Sequence, residues 1–358
     1  MGLAHGAATT QAKLADGAGT SRGSSTSGSG SVQGPDRGEL PQRVVSARVS
    51  LRRRVAEIWA SRELLGFLIR KELKVRYKNS VLGFVWSFLN PALVLMIYYV
   101  VFKFFLKNPT PDFALYLFAG LLPWNLFNNS LLSASGALVA HAGIVKKVAF
   151  AREILALAQV GTAICYFFFQ TCILVVFLAG FQVLPAFRYI PLLLFALVCD
   201  ILLSAALAIF LSAVNVYLRD VQHFVEVLLV ALFFSPPIVY SFANLVRHPG
   251  TPASSSYPLK HLWFRLLYES NPLTWIVVSF QRCIFGRVVP PTGKVVKNAS
   301  TSVVVNGHVE LLPYHVLPTW GALTYVEGLS GVFVLSIVML LIAMLVFGRV
   351  EGNFAEEL

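Results

Sequence analysis

Residues 189–216 read YIPLLLFALVCDILLSAALAIFLSAVNV, a run of 28 positions with one charged side chain, Asp200. An α-helix rises 1.5 Å per residue, so about 20 mostly apolar residues cross the hydrocarbon of a bilayer. This run exceeds that length, and further apolar runs at 81–106, 113–139, 154–180, 225–246 and 326–347 extend the pattern. Apolar residues make up 56% of the chain, charged residues 13%, and the mean hydropathy is +0.70. A soluble domain does not need such a composition, and a membrane protein does.

Six spanning segments place both ends of the chain on one side. Of the 29 Lys and Arg residues, 14 precede Val81, and further cations fall in the short loops at Lys146, Lys147, Arg152 and Arg219. All of these loops share a side in the six-span reading, which the positive-inside rule makes the cytoplasm. The expected protein is therefore multi-pass in a plasma or inner membrane, with cytoplasmic termini. The first apolar run begins too far along the chain to be a cleavable signal, so the first helix should direct its own insertion. The net charge of +12 needs no nucleic acid to explain it.

Residues 1–45, rich in Gly, Ser, Ala and Thr, cannot bury enough apolar surface to offset ordering and are expected to form a disordered tail. Residues 46–80 form a cytoplasmic region. Within it, 55–78 carries Ile58, Trp59, Leu64, Leu65, Leu68, Ile69, Leu73 and Tyr77 near helical spacing among basic residues, which predicts an amphipathic helix at the membrane face. Residues 81–358 form the transmembrane domain, with a long outer region at 247–325. In 262–286 the pair Asn271-Pro272 breaks an apolar stretch into two limbs too short to cross, which predicts a re-entrant or interfacial helical hairpin. In 287–320 strand-like runs flank Asn306-Gly307, which predicts a small exposed β element. The expected fold is thus an all-α membrane protein of six transmembrane helices, an N-terminal interfacial helix, a re-entrant hairpin before the last helix and a small β insertion.

No catalytic constellation is visible. The acids near membrane depth, Asp200, Glu226 and Glu327, do not cluster, and Asp200 alone is a thin basis for ion coupling. No phosphate-binding GxxxxGK[ST] loop occurs, so ATP has no backbone cradle in this sequence. Cys165, Cys172, Cys199 and Cys283 lack metal-ligand spacing and read as small apolar residues. His141 and His223, at cytoplasmic helix ends, read as solvated.

More informative is LLPWNLFNNSLLSASG (121–136), which sets Asn125, Asn128, Asn129, Ser133 and Gly136 at three- and four-residue spacing. A polar stripe of this kind avoids lipid, either as hydrogen bonding between helices or as the wall of a hydrated path for a polar substrate. Trp86, Tyr98 and Tyr99 on the first segment are an interfacial belt or a surface that stacks on sugar rings. Ser235-Pro236-Pro237 removes backbone donors from the fifth segment, making Pro236 and Pro237 a hinge or a static kink. Arg70, Lys74 and Arg76 precede the first span by under three turns and could attract an anionic head group at the inner surface.

Together, RELLGFLIRKELKVRYKNSVLGFVWSFLNPAL (62–93), IVKKVAFAREIL (144–155), NVYLRDV (215–221), SPPIVY (235–240), NPLTWIV (271–277) and EGNFAEEL (351–358) give the chain a resemblance to ABC-2-type permeases that export polysaccharides or polyol phosphates. The resemblance implies a homodimer with two ABC ATPase subunits, ATP and Mg on that partner and no cofactor here. It also implies a path at the dimer interface and a lipid-linked glycan as cargo. By position, 140–153 resembles the element that contacts the ATPase, with Lys146, Lys147, Arg152 and Glu153 as the charged candidates. The long N-terminal tail and the 287–320 insertion depart from the family pattern. An ABC-2 drug or lipid efflux permease is the alternative, and a membrane glycosyltransferase is disfavoured by the missing acidic cluster.

Overall fold

The computed structural model describes residues 51–76, 85–105, 113–146, 150–180, 182–240, 268–286, 301–305, 308–312, 317–318 and 320–357. The expected tail at 1–45 lies outside them, as do the first limb of the expected hairpin up to residue 267 and most of the 287–320 insertion.

The N-terminal region forms two helices where one was expected, α1 (Leu51–Ala60) and α2 (Arg62–Arg76). They part at Ser61, whose Oγ and backbone N–H both donate to Glu57 O at 2.9 and 3.1 Å. A hydroxyl that competes for the same carbonyl loosens a helix at that point. One side of the pair is built inward, with Leu68 buried and Leu64, Leu65 and Ile69 packed beside it. The other side leaves Trp59 at 72% and Phe67 at 64% exposure, an outward apolar row that water alone does not favour.

The apolar runs then give α3 (Trp86–Val100), which continues as one π-helical turn (Val101–Phe105), and α4 (Phe113–Ser135). The short α5 (Ala137–Ala140) and α6 (Ala142–Val145) follow, then α7 (Glu153–Gly180), α8 (Ile190–Tyr217) and α9 (Val221–Phe233). Beyond them lie α10 (Pro272–Ile284), the strands β1 (Thr301–Val305) and β2 (His308–Leu312), α11 (Ala322–Val350) and the terminal turn α12 (Phe354–Glu357). Among the described residues, three helical stretches are long and apolar enough to cross a membrane: Glu153–Gly180, Phe187–Tyr217 and Ala322–Asn353. The strands pair antiparallel, with Val305 opposite His308, the register that a two-residue Asn306-Gly307 connection sets.

The helix α4 is central. It packs against α7, α8, α9 and α10, and nearly its whole circumference is buried. By contrast α3, α7, α9 and α11 turn large apolar side chains outward, among them Met96, Val176, Val227 and Val334. Such faces belong against lipid or another apolar surface.

One segment differs from its sequence reading. The fifth run is helical only to Phe233, because Pro236 and Pro237 cannot donate backbone hydrogen bonds; 235–240 continues as irregular chain, buried at 236–239. Asn271-Pro272 interrupts helical chain, with helical residues 268–270 on one side and the start of α10 on the other. The Asn271 side chain accepts from Leu273 N at 3.0 Å, and Pro272 occupies the first turn, where its missing donor costs nothing.

Candidate functional site

The polar stripe survives in three dimensions. On α4, Asn125, Asn128 and Asn129 are half-buried and Ser133 is exposed; with the half-buried Leu132 these positions form its open line. Asn125 Nδ2 donates to Gln170 Oε1 on α7 at 3.1 Å, and Asn129 Nδ2 donates to Asn125 O at 2.8 Å. The stripe therefore divides: Asn125 cross-links two helices, while Asn129 and Ser133 line a cavity of about 270 Å³. Asn128 lies on the same face but outside that cavity.

Three elements line the cavity, which is open on one side: Glu72, Val75 and Arg76 come from α2, Asn129 and Ser133 from α4, and Gln159, Thr162, Ala163 and Tyr166 from α7. Gly161 lets α2 approach α7 closely, since a Cβ there would clash with the Ile69 side chain. The guanidinium of Arg76 lies 4.8 Å from the centre of the Tyr166 ring, within cation–π range. The cavity thus offers a cation, an aromatic face and several amide or hydroxyl groups, a set suited to an anionic, hydroxylated ligand. Of the three cations proposed to admit substrate, all exposed, Arg76 lines it and Arg70 and Lys74 do not. Gln159, Thr162, Tyr166 and Gln170 escaped the sequence reading, although their spacing of three, four and four residues along an apolar helix is the same signal that marked α4.

The remaining candidates divide in the same way. Tyr98 packs into the core, its ring 6.3 Å from Phe233, and Tyr99 meets Phe104 edge-on at 6.3 Å, whereas Trp86 is exposed. The carbonyls freed at the kink are satisfied by neighbours. Tyr116 Oη lies 2.9 Å from Pro237 O and 2.7 Å from Tyr240 O, with one proton to share between them, Gln281 Nε2 donates to Pro237 O at 2.7 Å, and Asn271 Nδ2 donates to Ser235 Oγ at 2.6 Å. Pro236 and Pro237 are buried and held from two helices, α4 and α10.

In the 140–153 element Lys146 is exposed and Lys147 lies outside the described residues. Arg152 and Glu153 are engaged within the chain. Glu153 is 2% exposed and accepts from Arg54 Nη1 on α1, while Arg54 Nη2 donates to Glu351 Oε2 at 3.0 Å. Arg152 Nη1 donates to Glu351 O at 2.5 Å. His141, expected to be solvated, is instead paired: its Nδ1 donates to Ala137 O at 2.9 Å, and Lys71 Nζ donates to its Nε2 at 2.8 Å. His223 is exposed and lies 3.7 Å from Glu226. Asp200 is fully buried on α8, with neither carboxylate oxygen hydrogen-bonded among the described residues. No three His, Cys, Asp or Glu side chains among the described residues gather as a metal site.

Comparison with known proteins supplies the class. The chain is 30% identical over 255 residues to the O-antigen export system permease protein RfbA of Myxococcus xanthus, an alignment covering 71% of this chain and 92% of that one. It is 30% identical over 219 residues to an RfbA of Klebsiella pneumoniae, covering 61% and 79% of the two chains. It is also 25% identical over 215 residues to the polysialic acid transport protein KpsM of Escherichia coli, covering 59% and 76%. Residues 63–285, from α2 through α10, match the ABC-2 type transporter family. The cavity and the kink fall inside the matched stretch, and the β hairpin and α11 fall beyond it. This multi-pass membrane chain belongs to the ABC-2 type transporter family.

Proposed function

We propose that this chain is the permease of an ATP-driven exporter that moves a lipid-linked polysaccharide of the cell envelope from the cytoplasmic to the outer side of the plasma or inner membrane. The observation that carries this reading is the cavity in which Arg76 of the interfacial helix meets the open polar line of α4. It joins a cation for a phosphate head to amides and hydroxyls for a sugar. The relatives, named for O-antigen and polysialic acid, agree with a glycan cargo. The chain works as a homodimer with two ABC ATPases, which supply ATP and Mg. Lys146 and Lys147 of the 140–153 element meet those subunits, and the Asn128 face of α4 lines the translocation path.

Export of surface glycan, measured in cells that lack the native chain but hold its ATPase and glycan-synthesis enzymes, tests the reading. Asn129→Leu and Arg76→Gln should each lower export severalfold at equal membrane levels of assembled protein, with Arg70→Gln and Lys74→Gln nearly silent. Normal export by both of the first pair would remove the cavity from the glycan's path and favour drug or lipid efflux.

The same reading carries six crossings and cytoplasmic ends, because the basic loops then share one side. In a background free of Cys165, Cys172, Cys199 and Cys283, single cysteines at Lys146 and Gly307 should react with an impermeant thiol reagent from opposite faces of the membrane. Labelling of both from one face would reject this topology.

A further inference from the structure

Arg282, in the last turn of α10, is 5% exposed, too little for water to solvate its charge. Among the described residues no carboxylate bonds it. Its Nη2 donates to Tyr189 Oη at a long 3.4 Å, the guanidinium stands 5.1 Å from the centre of the Tyr189 ring, and Nε has no hydrogen-bond partner. Its charge also acts on the phenol of Tyr325, which packs against Trp320, itself stacked on Trp275 at 4.8 Å. Arg54, also buried, is treated differently: it holds both Glu153 and Glu351. Taking a guanidinium out of water without a counter-charge is strongly unfavourable, and the dipole of α10 and one long bond to a phenol offset only part of that.

The place of Arg282 in the fold narrows what could supply the negative charge. Tyr189 directly precedes α8, Tyr325 sits in the first turn of α11, and Ala186 N donates to Cys283 O at 2.7 Å. Arg282 therefore belongs to the end of the bundle where α7 stops and α8 and α11 start. Glu153 and Glu351 lie at the other end of α7 and α11, and the Arg76 cavity is lined by the first half of α7. Head-group phosphates flank the hydrocarbon at the ends of spanning helices, and a guanidinium fork matches phosphate oxygens two at a time.

We propose that Arg282 is a phosphate-binding site at the end of the bundle opposite the Arg76 cavity, taking a lipid head group or a free phosphate. On the six-span reading that end is the outer one, so a phosphate-linked cargo that enters past Arg76 leaves past a second cation. That role rests on the proposed function; the binding itself rests on the residues around Arg282.

The test uses the full chain with its ATPase in neutral detergent, carrying Arg76→Gln so that the inner cavity is silent. It is titrated with dioctanoyl phosphatidylglycerol, with dioctanoylglycerol, which has the same chains and no phosphate, and with inorganic phosphate. The rise in unfolding temperature gives the affinity of each. Phosphatidylglycerol should stabilise the complex where dioctanoylglycerol does not, and adding Arg282→Gln should weaken its binding about tenfold, the scale of one charge-assisted hydrogen bond. The same dependence on Arg282 with inorganic phosphate would identify a free anion as the ligand. Stabilisation by neither phosphate compound, or affinities that Arg282→Gln leaves unchanged, would overturn the site. If the Gln variant does not assemble, Arg282→Lys keeps the charge without the fork and should bind severalfold more weakly, and an undiminished affinity there would overturn it equally. Because binding is read without transport, failure here leaves the exporter reading intact, and normal export by Asn129→Leu and Arg76→Gln would leave this site intact.

Discussion

Arg54→Ala should destabilise the protein by about 3–5 kcal/mol, the cost of leaving a buried carboxylate without its counter-charge. Glu153 is 2% exposed, and Arg54, itself nearly buried, bonds it and Glu351 at once. Removing the guanidinium leaves two acids facing each other, with Arg152 reaching only Glu351, at 4.0 Å through Nε. The substitution also opens space over Gly348, where the guanidinium lies so close that a Cβ would stand 2.8 Å from it. Thermal unfolding of the purified chain in detergent is the measurement. Arg54→Ala combined with Glu153→Gln should recover much of the loss, since an amide needs no counter-ion. An unfolding curve for Arg54→Ala that matches the unmodified chain would show that the pair carries no net stability.

The second large effect is expected at the kink. Tyr116→Phe removes the hydroxyl that lies 2.7 Å from Tyr240 O and 2.9 Å from Pro237 O, and Gln281→Leu combined with it removes the amide donor to Pro237 O. Each carbonyl stranded in a buried setting costs about 1–3 kcal/mol, and no water is at hand in the membrane to replace the donor. The double variant should lose roughly 2–4 kcal/mol of stability, less than the sum if the carbonyls find new partners. Export by whatever folded protein remains separates hinge from static kink. A hinge that must bend is loosened by the substitutions and changes its turnover, whereas a static kink keeps normal turnover per folded molecule.

Much of this architecture is legible in one dimension because lipid imposes its rules locally. Continuous apolar runs became α7, α8 and α11, and Asn306-Gly307 announced the strands on either side of it. The stripe Asn125, Asn129, Ser133 could be seen on α4 because helical spacing is a property of one element. What surrounds the stripe could not. Arg76 and Tyr166 are 90 positions apart in sequence and meet because Gly161 admits Ile69, a fact about two surfaces rather than about either helix. His141 carries no sign in its own neighbourhood that Lys71 will reach it. The prolines at 236 and 237 foretold a broken helix, but the donors that support the break come from Tyr116 and Gln281 on other helices.

The Arg54 cluster also bears on how the protein is made. Arg54 is 99 residues from Glu153 and 297 from Glu351 in the chain, so it leaves the ribosome long before either acid exists. Until α7 is synthesised neither of the acids that its guanidinium bonds among the described residues exists, and the cluster closes only when the residues after α11 emerge. A nascent chain cut short before Glu351 would carry α1 with an incomplete ion cluster and Glu153 with half its compensation. The first of the described helices is thus fastened by a residue just beyond α11, and a chain that stops before it presents an unfastened α1 that membrane proteases can recognise.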